Sequence, residues 1–83
     1  MGWEFYTSGH VAKFLAVLPP RERVKLLGLF ERMAAHPQVH STDLPRVDAK
    51  GRRHWLRFGE GYAVIVWIDH AERGLRIAEV GFE

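Results

Sequence analysis

The sequence predicts an α+β fold of order β-α-α-β-β-β, with a helical hairpin on one face of a mostly antiparallel four-stranded sheet. Three observations lead there. Residues 62–68, Tyr-Ala-Val-Ile-Val-Trp-Ile, are apolar and aromatic without a break, as in a central strand covered on at least one side. Two upstream segments carry apolar residues at helical spacing. Pro19-Pro20 joins them by a link short enough to make an antiparallel helical hairpin.

Each element has its own local cause. Trp3-Glu4-Phe5-Tyr6 alternates weakly and reads as a first strand. Thr7 or Ser8 supplies a short side-chain oxygen to cap the following helix. Val11, Phe14, Leu15 and Leu18 then line one helical face. Proline is excluded from a helix interior but suits a first turn, so Pro19-Pro20 stops this helix and Pro20 opens the next. Val24, Leu27, Phe30 and Ala34 form the inner stripe of that second helix, with Leu26 and Met33 flanking it. His36-Pro37 ends it. Residues 38–51 are polar, contain Pro45 and Gly51, and read as a loop. His54–Phe58 is the second strand, and Gly59-Glu60-Gly61 is a tight turn in which the glycines supply positive φ. The apolar run 62–68, the turn 69–74 and the strand 75–80 complete an antiparallel meander.

The 83 residues form one domain, 1–83. There is no cysteine, which removes disulfides, thiolate metal sites and Cys nucleophiles. No apolar run approaches the ~20 residues of a membrane span, and no signal-peptide pattern opens the chain, so the expected location is cytoplasmic. Neither a zinc-ligand spacing nor a glycine-rich phosphate motif is present, so no metal or cofactor is expected.

Charge is unevenly placed. The formal net charge is +2, yet Arg46, Lys50, Arg52, Arg53 and Arg57 face only Asp48 within residues 46–57. Such a patch favours phosphate or an acidic protein partner. Strand alternation puts Arg53, Trp55 and Arg57 on one face and His54, Leu56 and Phe58 on the other. The hairpin should cover Leu56 and Phe58, leaving a bare cation–aromatic–cation ladder suited to a nucleic-acid backbone and base. An imidazole suits a general base, which makes His54 a candidate, although alternation turns it toward the helices as a structural histidine. Tyr62 reads as a core aromatic with its hydroxyl at a rim, with stacking on a base as the alternative. Trp67 reads as core, and Asp69 as the cap of the 69–74 turn.

An ordered set of these pieces resembles the RelE/ParE superfamily of bacterial toxins from type II toxin–antitoxin systems. The set comprises Trp3-Glu4-Phe5, Leu18-Pro19-Pro20, Val24/Leu27/Phe30/Met33, His36-Pro37 and Gly51-Arg52-Arg53. Leu56-Arg57, Gly61-Tyr62-Ala63-Val64-Ile65, Asp69 and Ile77-Ala78-Glu79-Val80-Gly81 continue it. The resemblance implies one of two activities: ribosome-dependent cleavage of messenger RNA without a metal, as in RelE-like members, or inhibition of DNA gyrase, as in ParE-like members. A toxin-fold module that only binds an antitoxin is a third reading. The implied catalytic residues are Arg53, Arg57 and His54, with Lys50, Arg52, Arg46, Trp55 and Tyr62 in contact with RNA. The implied partner is a cognate antitoxin, for which Leu26 and Leu29 are candidate contacts. The chain departs from the family pattern at Ala63, where arginine is common, and at Phe82-Glu83, where a basic tail is common.

Overall fold

The computed structural model describes residues 3–38 and 42–83. The chain runs β1 (Glu4–Thr7), α1 (Gly9–Val17), α2 (Pro20–Ala35), β2 (Leu44–Val47), β3 (Arg53–Gly59), β4 (Tyr62–Asp69) and β5 (Gly74–Phe82). The sheet has five strands in the order β1-β5-β4-β3-β2. β1 lies parallel to β5 and every other pair is antiparallel. Among the described residues no helix is long and apolar enough to cross a membrane.

The expected four strands become five because β2 lies in the stretch read as a loop. Leu44-Pro45-Arg46-Val47 is short and broken by proline, so it shows no strand pattern of its own. It is nonetheless an edge strand, where proline is tolerated, and it pairs with Arg53–Leu56 of β3. The connecting turn is built on Asp48. Its Oδ1 accepts the backbone N–H of Lys50 (2.9 Å) and of Arg52 (2.8 Å), while Gly51 takes φ +79°. These donors, the Arg52 amide foremost, hold the Asp48 carboxyl below its ordinary pKa.

Ser8 caps α1 by accepting the Val11 N–H at 3.2 Å. The same hydroxyl donates to the Ala78 carbonyl of β5 at 2.8 Å. That carbonyl belongs to a bulge: Ile65 pairs with Glu79 and Val66 with Ile77, so Ala78 is supernumerary. At the other end of α1, the Arg23 guanidinium donates to the carbonyls of Leu15, Ala16 and Leu18. It satisfies carbonyls that the helix end leaves without a partner and ties the two helices together. The turn between β3 and β4 places its positive φ at Glu60 (56°) and Gly61 (87°), a two-residue hairpin turn. Gly59 instead serves a close approach: a Cβ there would sit 3.0 Å from Leu29 Cδ1.

The core lies between the hairpin and one face of the sheet. It joins Val11, Leu26, Phe30 and Met33 of the helical layer to Tyr62, Val64, Val66, Leu75, Ile77 and Val80. The inward stripe of α2 is therefore Leu26, Leu29, Phe30, Met33 and Ala34. This corrects two expectations. Val24 is 71% exposed, not inner, and Leu26 and Leu29 are buried, not available as antitoxin contacts. The rotation has a polar anchor, because the Tyr62 hydroxyl donates to Glu22 Oε1 at 2.7 Å and draws the Glu22–Leu26–Leu29–Met33 row onto the sheet. Leu26→Ala should cost about 2–5 kcal/mol in chemical denaturation, and Val24→Ala should stay within about 0.5 kcal/mol.

Candidate nucleic-acid interface

The pairing of β3 with β4 decides which side chains are available. Trp55 lies opposite Val66, Arg57 opposite Val64 and Gly59 opposite Tyr62. Residues directly opposite share a face, and Val64, Val66 and Tyr62 are all core. Arg53, Trp55 and Arg57 therefore belong to the helix-covered face, and His54, Leu56 and Phe58 to the bare one. This reverses the sequence expectation. Leu56 and Phe58 seemed the natural core pair, but the bare face keeps them and Phe58 is 50% exposed.

Arg57 is 6% exposed and held by an ion pair. Its Nε donates to both oxygens of Asp43 at 3.0 Å, and its Nη2 donates to the Gln38 carbonyl at 2.8 Å. It ties the start of β2 to the middle of β3. Arg53 remains exposed, with its guanidinium 5.9 Å from the ring centre of Trp55, and Trp55 is half-buried against the core. Lys50 stands exposed in the Asp48 turn. Tyr62, a candidate RNA contact, is 1% exposed on the helix side. Burial, then the hydrogen bond to Glu22, push its pKa up to about 12.

The bare face gathers a different set. Arg46 pairs across from His54, and Arg52 lies one residue before β3. Two shallow clefts, of about 260 and 250 Å³, meet at His54 and Ala78. Tyr6, Arg52, Trp67 and Arg76 line the first; Arg46, Asp48, Ile65 and Glu79 line the second. His54 Nδ1 lies 3.2 Å from the Arg52 carbonyl. A carbonyl only accepts, so Nδ1 carries a proton and Nε2 of the neutral ring is the basic nitrogen. The structure thus brings Arg46, Arg52 and His54 together and separates them from Arg53 and Arg57.

Three residues of this face escaped the sequence reading: Tyr6, Trp67 and Arg76. The Arg76 guanidinium sits 4.8 Å from the Tyr6 ring centre and 6.0 Å from that of Trp67. It also donates from Nε (3.4 Å) and Nη2 (3.3 Å) to Asp69 Oδ2. Arg52 covers Trp67 at 4.2 Å. Arg76 was findable, since its neighbours Leu75 and Ile77 are apolar and alternation turns it outward. Trp67 was not, because the run 62–68 shows no polar alternation to mark its face. Asp69 does accept the Glu72 N–H in the expected turn. Among the described residues no cluster of His, Asp and Glu is arranged to hold a metal ion.

No protein-family model matches the chain, and no curated relative does either. Solved structures match over its full length. A chain of the RelBE2 toxin–antitoxin complex of Mycobacterium tuberculosis aligns with a TM-score of 0.78 at 14% identity, covering 100% of both chains. The fold is RelE-like. A chain of the intact Escherichia coli RelBE toxin–antitoxin complex aligns with a TM-score of 0.72 at 12% identity, covering 98% of this chain and 96% of that one. Within this RelE-like frame, the part of the bare face formed by Leu56, Ala63, Ile65 and Gly81 lacks cations, while Arg46, Arg52, His54 and Arg76 gather beside it.

Two outcomes follow. Asp43→Ala strands a buried guanidinium, and unfolding by urea should show a loss of about 3–5 kcal/mol. The Tyr62 hydroxyl, then Lys25, hold the Glu22 carboxyl below its ordinary pKa. A depressed carboxyl adds stability above its unfolded pKa and loses it as pH falls through the folded value. The difference in melting temperature between the wild type and Tyr62→Phe should therefore shrink from pH 6 to below pH 3.

Proposed function

We propose that this protein is the toxin of a type II toxin–antitoxin pair and cleaves messenger RNA held on the ribosome. The observation that carries this reading is the placement of His54 between Arg46 and Arg52 on a sheet face that no helix covers. The two structural neighbours described above come from toxin–antitoxin complexes, which supports a cognate antitoxin as partner.

The chemistry needs no metal. His54 Nε2 takes the proton of an RNA 2′-hydroxyl as its oxygen forms a bond to the adjacent phosphorus. Charge growing on the phosphoryl oxygens is held by the Arg46 and Arg52 guanidiniums. The bond to the 5′-oxygen breaks, and that oxygen takes a proton from solvent. The products are a 2′,3′-cyclic phosphate and a free 5′-hydroxyl. An open face supplies only one wall, so the RNA strand has to be presented by another body; the ribosome presents messenger in that way.

One observation favours a second reading. The cation-free part of the bare face, Leu56, Ala63 and Ile65, suits a protein surface such as DNA gyrase better than a phosphate chain. A translation reaction separates the two. Under the nuclease reading the protein yields codon-spaced messenger fragments. His54→Gln should slow cleavage by about 10²–10⁴-fold. Arg46→Ala should slow it by about 10²–10³-fold. Intact messenger together with failed supercoiling by gyrase overturns the nuclease reading in favour of the second.

A further inference from the structure

The row Tyr6–Arg76–Trp67–Arg52 crosses the bare face from the edge strand β1 to the start of β3. Guanidinium and aromatic planes alternate along it, at 4.8, 6.0 and 4.2 Å from group to ring centre. The two arginines are held differently. Arg76 is anchored by Asp69 as well as by its two aromatic neighbours. Arg52 is exposed, and the Trp67 ring is the contact shown for its guanidinium. Trp67 itself is only half-buried. The row therefore has a fixed end and a displaceable end.

We propose that this row is a stacking site for one unpaired nucleobase of single-stranded RNA, which takes the face of Trp67 that Arg52 covers in the free protein. Arg52 then swings from the ring to the phosphate next to that base. The inference rests on the RNA reading above and adds to it a base-holding subsite beside His54. The exchange is favoured on magnitude. An exposed cation–π contact is worth only about two- to five-fold in an equilibrium. Stacking of a base on an aromatic side chain is worth about five- to 150-fold. The released guanidinium also gains a charged partner. Size agrees, since the cleft lined by Tyr6, Arg52, His54, Trp67 and Arg76 holds about 260 Å³. That lies below the roughly 300–1,000 Å³ of pockets that enclose a drug-sized ligand, and suits one flat ring lying in an open trough. Stacking also reads no base edge, so the site should accept any base.

The experiment uses the full chain with Trp3→Phe and Trp55→Phe, which leaves Trp67 as the sole indole. Its fluorescence is followed during titration with a short single-stranded RNA, with an abasic strand of the same length, and with an acidic peptide of equal charge. The proposal expects the RNA to quench Trp67 and to bind at least five-fold tighter than the abasic strand. In the otherwise wild-type chain, Trp67→Leu should remove that advantage and Trp67→Phe should keep most of it, near-UV circular dichroism confirming that both variants are folded. Equal binding of RNA and abasic strand without quenching overturns the stacking site and leaves the RNA reading intact. No binding of either strand overturns both. Quenching by the acidic peptide but not by RNA overturns both in favour of a protein partner.

Discussion

The pleat of β3 governs what this protein offers to a partner. One strand carries two arginines, a histidine and a tryptophan, and its register against β4 divides them between the two faces. Trp55 and Arg57 go inward because they lie across from Val66 and Val64. A one-residue slip would exchange the faces. The inward setting places a guanidinium inside an apolar layer, which is tolerable only with a charged partner. Asp43 supplies that partner, two oxygens on one Nε. The ion pair and the register depend on each other, and both fix His54 on the bare side.

From that constraint the rest of the front face follows. With Arg57 committed to Asp43, the bare face takes its cations from the segments that flank His54. Arg46 arrives from an edge strand that pairs with β3, and Arg52 from a turn held by the Asp48 carboxylate. Arg76 comes from the far side of the sheet. Three separate chain segments thus converge on a shallow trough, and none of them is a helix. Backbone pairing fixes the segments that carry these cations, so they stand side by side without a ligand to gather them.

Much of the architecture was legible in the residues. The Pro19-Pro20 break, the Ser8 cap, the end at His36 and the long apolar run of β4 each have a local physical cause that nothing distant overrides. What was illegible depended on distant partners. β2 is four exposed residues with a proline in their midst, and only its pairing with β3 makes it a strand. The phase of α2 shifted because a tyrosine forty residues away binds Glu22, information that no helical stripe contains. The site shows the same division. Arg46, Arg52 and His54 were visible as a basic cluster, but the facing of Arg57 was not, because Leu56 and Phe58 read as the core pair of β3 and a buried carboxylate partner fourteen residues away leaves no mark on the strand. Trp67 was hidden by the uniform hydrophobicity of its own strand.

The supernumerary Ala78 has a consequence of a different kind. Ahead of it, the odd-numbered Leu75 and Ile77 point into the core; beyond it, the even-numbered Val80 does, and Phe82 meets the rings of Phe14 and Tyr62. The extra residue resets the parity of the strand midway, and the Ser8 hydroxyl secures the carbonyl at that point. Pairing the same residues without the bulge would turn Val80 and Phe82 to the bare face and bring Glu79 and Gly81 in to replace them. The inward set of β5 beyond Ile77 is therefore written by an irregularity in pairing, not by alternation along the chain.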